Sequence, residues 1–174
     1  MQTNSFPKYD VSENTTGCCP RFHPEGWDNQ QLHFKDKMFV RATTRSAMYV
    51  PWNMGHVFSR VQKHIEDAGA ADPVTEIVLS HDLSPWESEH FFAVQKDVPG
   101  EDTTRLSGDY ITRVFEGGYR RAKNFDHDMR VAATAAGKTA KDVFFFYTTC
   151  PKCAKYMERT IWLASQAFDP ISTR

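Results

Sequence analysis

The feature that most constrains this chain is an order of elements that occurs twice. A helical stretch with apolar residues at Met54, Val57, Phe58, Val61, Ile65 and Ala68 stops at Gly69. A second stretch, with Ala122, Phe125, Met129, Ala132 and Ala136 on one face, stops 68 residues later at Gly137. Glu89 opens the last element of the first half and Glu158 that of the second, an offset of 69 residues. Two independent landmarks at nearly one spacing predict a tandem duplication.

Each half reads strand, helix, strand, strand. The first has a strand over 37–50 closed by Pro51, a helix over 53–68, a strand over 74–80, a polar turn over 81–88 and a return strand over 89–98. The second has a strand over 109–116, a break at Gly117-Gly118, a helix over 119–136, a strand over 143–148, a turn over 149–155 and a last element over 157–168. In that last element Met157, Ile161, Ala164 and Phe168 also fit a helical stripe, so periodicity leaves it open, and the duplication selects strand. The expected fold class is α+β: a tandem βαββ duplication forming one mostly antiparallel sheet with two helices on one face and a concave surface at the seam of the halves. Residues 1–36, broken by Pro7, Gly17, Pro20, Pro24 and Gly26, read as an irregular N-terminal extension laid on the body through Phe22, Trp27 and Phe34. The body is then 37–174, with halves at 37–100 and 104–168.

Charge narrows the partners. With 21 Lys+Arg against 22 Asp+Glu, the chain has a formal net charge of −1 and no basic run to displace counterions from phosphates, so nucleic acid is not an expected partner. There is no signal-peptide pattern and no long apolar run, so a soluble, cytoplasmic monomer or homodimer without a membrane partner is expected. Aromatic residues make up 13% of the chain, which suits a ring-filled core or a pocket for a flat organic ligand.

The segments SGDYITRVFEGGYRRAKNFDHDM and VFFFYTTCPKC, with the doubled βαββ order, resemble the GyrI-like (gyrase-inhibitor-like) small-molecule-binding family. The resemblance spans residues 37–168. The added CCPRFHPEGWD and TTCPKCAKY segments look like a bacterial branch of that family often labelled hydrolase. It implies a ligand pocket holding a Glu of the last strand, here Glu158, which in regulators offsets a ligand cation. It also implies hydrolysis, since some members open cyclopropane-bearing DNA-alkylating natural products. No DNA-binding helical module is read ahead of the body, so a transcription factor is not expected.

The residues themselves offer candidates. Glu116 ends a strand at a glycine break and Glu158 starts the last element; a carboxylate desolvated against rings could act as general acid or base, and otherwise both are surface glutamates at strand ends. Tyr147, at a strand end, could bind or protonate a leaving oxygen. Trp52 after Pro51, Trp86 in a polar turn and Tyr119 at a helix start are ring positions that core packing does not demand. With Glu89, Phe115 and Trp162 they complete the expected ligand-binding set, while Phe91, Phe92 and Phe144 to Phe146 read as core.

No cofactor is expected, and Gly117-Gly118 lacks the spacing of a dinucleotide loop. Cys150-Pro-Lys-Cys153 has the knuckle spacing of a zinc site, which Cys18, Cys19 or His23 could complete. Adjacent cysteines normally diverge, so the zinc alternative takes Cys150, Cys153, Cys18 and His23. A redox pair and simple packed thiols are the other readings of these cysteines.

Overall fold

The computed structural model describes residues 3–72, 76–117, 121–135, 137, 140–154 and 161–168, the last segment by its backbone path alone. The chain divides into two compact units, one of residues 36–107 and the other of residues 1–35 with 108–174. The α+β class and the βαββ order hold in both.

In the 36–107 unit, β1 (Gln31–Ala47, from residue 36 on) runs into a hairpin with the short β2 (Val50–Pro51), followed by α1 (Met54–Asp67), β3 (Val78–Ser84) and β4 (Glu87–Ala93). β4 lies between β1 and β3 and is antiparallel to both, with Thr43 and His81 each opposite Glu89. Along β1 burial alternates: Val40, Ala42, Thr44 and Ser46 are buried, whereas Arg41, Thr43 and Arg45 are exposed. On α1, Val57, Val61 and Ile65 recur every four residues and pack on Val40, Ala42, Phe92 and Val94. The helix ends at Gly69, whose φ of +57° lets the Gly69 N–H reach Glu66 O at 2.9 Å and the Ala70 N–H reach Ile65 O at 2.9 Å. These paired bonds satisfy carbonyls that the last turn would leave open.

The other unit holds β5 (Asp102–Glu116, from residue 108 on), α2 (Ala122–Ala135), β6 (Ala140–Tyr147), a single helical turn α3 (Pro151–Ala154) and β7 (Ile161–Phe168). β7 is antiparallel to β5 on one side and to β6 on the other. Phe125 and Met129 of α2 form a core with Val143 and Phe145, joined by Ile111, Phe115 and Tyr147. Gly117 separates β5 from this helix at a φ of +155°, and a Cβ there would stand 3.1 Å from the Phe125 ring, so only glycine fits without displacing a core ring.

The opposite face of the same strands is covered by the N-terminal segment. By ring centroids, Trp27 lies 6.1 Å from Phe146, which is also approached by Tyr9 at 5.7 Å and Phe22 at 6.4 Å, and Phe34 packs tilted at 4.8 Å from Tyr110. The Trp27 indole N–H donates to Lys8 O at 3.1 Å. Backbone bonds Asn29 N to Thr112 O and Thr112 N to Gln30 O, both 2.9 Å, fasten the segment beside β5. Thr112 Oγ1 also donates to Trp27 O, so a polar group buried beneath the arm is satisfied.

Several element boundaries depart from expectation. β1 begins at Gln31, so the irregular extension ends sooner than residue 36. The polar stretch 81–88 is not one turn: β3 runs to Ser84, only Pro85-Trp86 turn, and β4 begins at Glu87. Its polar side chains pair across the strands, Ser88 Oγ donating to Asp82 Oδ1 at 2.6 Å, so hydrophilicity does not break the ladder. β5 starts at Asp102 rather than 109 for the same reason, and the turn expected over 149–155 contains α3. Residues 161–168 are strand, as the duplication required. Val74, Tyr119 and Glu158 lie outside the described residues.

Candidate functional site

In the 36–107 unit, alternation along β4 puts His90 and Phe92 on the α1 side, where Phe58 meets both rings at 4.9 Å. Glu87, Glu89 and Phe91 therefore face the other way, with Arg41, Thr43 and Arg45 of β1. The Glu89 side chain is 19% exposed and stands 3.5 Å from Arg41 Nη1, while Arg41 Nη2 is held 2.7 Å from Asp102. Asp102, ahead of Glu89, holds the Arg41 guanidinium above its ordinary pKa. This face is thus mixed: Phe39 and Phe91 are buried on it with ring centroids 6.4 Å apart, and beside them a mostly covered carboxylate shares a single cation with a neighbour.

The same strands end in two hairpin tips. Tyr49 N donates to Pro85 O at 2.9 Å and Ser46 N to Trp86 O at 2.7 Å, which ties the turn at residues 48–49 to the turn at 85–86. Met48 and Tyr49 have φ of 51° and 68°. Two successive positive φ values at a two-residue hairpin are the place for Asn-Gly, and each bulky residue there costs about 1–2 kcal/mol. The tips are also apolar and open: Trp52 is 70% exposed and Trp86 60%, with Met48, Val50 and Leu83 exposed beside them.

Beneath α1 lies a polar group that sequence reasoning missed. His90 is buried, with Thr44 Oγ1 2.8 Å from Nε2 and Ser80 Oγ 2.9 Å from Nδ1, and burial pushes its pKa down to about 4. Both ring nitrogens are partnered by hydroxyls that can donate or accept, so a neutral imidazole is fully satisfied there. The signal was its alternating position between Ser88 and Phe92, which marks an inward-facing residue but not its partners.

In the arm-bearing unit the expected residues separate. Phe115 stacks on Phe125 at 4.9 Å and Tyr147 on Phe145 at 6.1 Å, so both belong to the α2 side. Glu116 follows Phe115 and is exposed, so alternation directs it to the opposite face. Glu116 and Tyr147 are therefore not brought together. The backbone of Trp162 lies opposite both Phe115 and Tyr147.

The cysteines do converge. The sulfurs of Cys18, Cys19, Cys150 and Cys153 all lie within 4.8 Å of one another. Cys18 and Cys19 do not diverge as expected; their sulfurs are 3.8 Å apart. Thr16 shapes their loop, its Oγ1 accepting from Cys18 N at 3.3 Å and Cys19 N at 3.0 Å. His23, expected as a ligand, instead stands 3.5 Å from Glu13. All four thiols are free, and Cys153 is buried. The Thr16 hydroxyl, 3.5 Å from Cys153 Sγ, together with the neighbouring sulfurs, holds that thiol down to about 7, whereas burial pushes the Cys19 thiol up.

Comparison with known proteins places the chain. It belongs to the bacterial hydrolase family, whose pattern it matches over residues 9–164. It shares its fold with SAV2435, a protein solved bound to tetraphenylphosphonium, at 13% identity and a TM-score of 0.51, covering 83% of this chain and 95% of that one. A second structure, described as a candidate transcription-regulation protein from Staphylococcus aureus MU50, aligns at 13% identity with a TM-score of 0.46, over 83% of this chain and all of that one. No curated protein matches the chain. Among the described residues no helix is long and apolar enough to cross a membrane.

Proposed function

We propose that this chain is a GyrI-like protein that binds a hydrophobic small molecule with a planar aromatic part and hydrolyses it. The observation that carries the reading is the pair of joined hairpin tips. There the backbone accepts two positive φ values at Met48 and Tyr49 while Trp52 and Trp86 stand open to solvent. Neither stability nor solubility favours that arrangement, and local conflict of this kind collects where a ring surface is needed for binding. Glu89, partly covered beside Phe91 on the other face of the same strands, suits a ligand with a delocalised positive charge. The tetraphenylphosphonium bound by a protein of the same fold is a ligand of that type. For hydrolysis, Glu158, which the resemblance puts in a ligand pocket, is the carboxylate that desolvation against rings would fit for acid/base work. Water is the co-reactant. The alternative, a binding or sequestering protein without turnover, uses the same tips and Glu89.

Titration with tetraphenylphosphonium is expected to quench tryptophan fluorescence, with Trp86→Ala removing most of the change and Glu89→Gln weakening binding about fivefold. An unquenched signal at saturating ligand overturns the site. Turnover is read separately by mass spectrometry on neutral and cationic aromatic esters and lactones that quench. Hydrolysis lost in Glu158→Gln with quenching retained supports the enzyme, and recovery of every bound compound intact leaves the binding protein.

A further inference from the structure

We infer that Cys18, Cys19, Cys150 and Cys153 form a closed, structural tetrathiolate site for one zinc ion. A tetrahedral zinc with bonds of about 2.3 Å has sulfur–sulfur edges of about 3.8 Å. The Cys18–Cys19 separation is 3.8 Å and no pair in the group exceeds 4.8 Å, so four ligands stand at coordination spacing with small adjustment. The backbone is arranged as for a metal knuckle. Cys153 N donates to Cys150 Sγ at 3.4 Å, the bond that closes the Cys-Pro-Lys-Cys turn, and Cys150 N donates across to Cys19 Sγ at 3.3 Å. Four thiolates around a divalent ion leave a net charge of −2, and N–H···S bonds of this kind spread that charge.

The choice of zinc follows from the donors. An all-sulfur, four-coordinate set selects a soft-accepting tetrahedral ion, and a set with no open position suits structure rather than catalysis. What it would join is also visible: the loop of the N-terminal arm at 16–19 and the segment after β6 at 150–153 are more than a hundred residues apart in sequence and belong to the same unit. A cross-link there fastens the arm over the ring face formed by Phe144 and Phe146. Two vicinal or crossed disulfides would use the same cysteines, and they would need the sulfurs to approach from 3.8 Å to about 2.05 Å. The site is independent of the hairpin tips and of any hydrolytic step.

The test uses the full chain, purified under reducing conditions without added metal. Elemental analysis is expected to give one zinc per chain, released to a chromogenic chelator when a mercurial blocks the thiols. Reconstitution with cobalt(II) after zinc removal is expected to give the intense visible bands of a tetrahedral thiolate centre. Cys19→Ser and Cys153→Ser should lose the ion, His23→Ala should keep it, and Thr16→Val should weaken it about tenfold through its lost contacts to the ligand loop. The proposal falls if the wild-type chain carries no metal above background, if iron or copper replaces zinc at full occupancy, if mass analysis finds disulfides in place of free thiols, or if His23→Ala abolishes binding. Because metal content and the cobalt spectrum are read on the wild-type chain, a cysteine variant that fails to fold does not shield the proposal.

Discussion

The two βαββ units carry the same helix-on-sheet core and treat the other face of their strands differently. In the arm-bearing unit that face is ring-filled: Phe144, Phe146 and Tyr110 are covered by Phe34, Trp27, Phe22 and Tyr9, and the arm is fastened by backbone bonds to Thr112. In the 36–107 unit the corresponding face also buries two rings, Phe39 and Phe91, but it adds Arg41, Glu89 and Asp102 in a charge network, and its strands end in exposed aromatic tips. Duplication supplied one scaffold twice. One copy covers its second face with the arm, and the other leaves charged groups and aromatic tips open on its own. On the proposed function this division separates a supporting half from a binding half, since function is grafted on sites rather than on the fold itself.

The sharpest way to break this comparison is to empty the ring cluster. Trp27 is 1% exposed, and Trp27→Ala is expected to cost about 3–5 kcal/mol in denaturant unfolding, through lost ring packing and the cavity left among Tyr9, Phe22 and Phe146. A cost below 1 kcal/mol, roughly that of a surface substitution, would show that the arm merely rests on the sheet.

The units should also respond to opposite ends of the pH scale. In the 36–107 unit, His90 binds a proton only below about 4 when folded, whereas an unfolded histidine does so below about 6.5. Between those values the unfolded state holds the extra proton, so stability is expected to fall by about 3 kcal/mol as the pH drops from 6.5 to 4. In the arm-bearing unit, burial and then the Asp142 charge push Tyr110 up to about 12. The unfolded phenol loses its proton above about 10, so stability is expected to fall by about 2 kcal/mol as the pH rises from 10 to 12. Unfolding midpoints measured across both ranges check this, with His90→Gln flattening only the acid limb and Tyr110→Phe only the alkaline one.

The smallest effect concerns the tips. Replacing Met48-Tyr49 by Asn-Gly should stabilise the protein by about 1 kcal/mol, because those residues accept positive φ at little cost. It should at the same time weaken tetraphenylphosphonium binding. Stabilisation with unchanged binding would mean that the strained turn serves no ligand.

Much of the fold was legible because local physics fixed it. Gly69 and Gly137 stop both helices, and the four-residue recurrence of Val57, Val61 and Ile65 survives any tertiary setting. The strand over 161–168 was decided by duplication where periodicity failed. Boundaries at β1, β3, β4 and β5 were not legible. His81, Asp82 and Ser88 read as loop residues by composition, and only cross-strand pairing makes a ladder of them.

The candidate site shows the same division. Sequence singled out Trp52 and Trp86 as rings without a core role, and it identified Cys150-Pro-Lys-Cys153 as a knuckle, because both signals lie in short spans of chain. It could not show that Glu116 and Tyr147 face apart, that Thr44 and Ser80 close on His90, or that Cys19 rather than His23 meets the knuckle. Those facts depend on which distant segments are brought within a few ångströms, with Cys19 and Cys150 separated by 131 residues and their N–H···S contact closing to 3.3 Å. What the sequence determined by itself was therefore the repeated order of elements and the residue types that bring chemistry. Tertiary structure alone decided which of them meet, because strand alternation and chain crossing set the face on which each side chain lies.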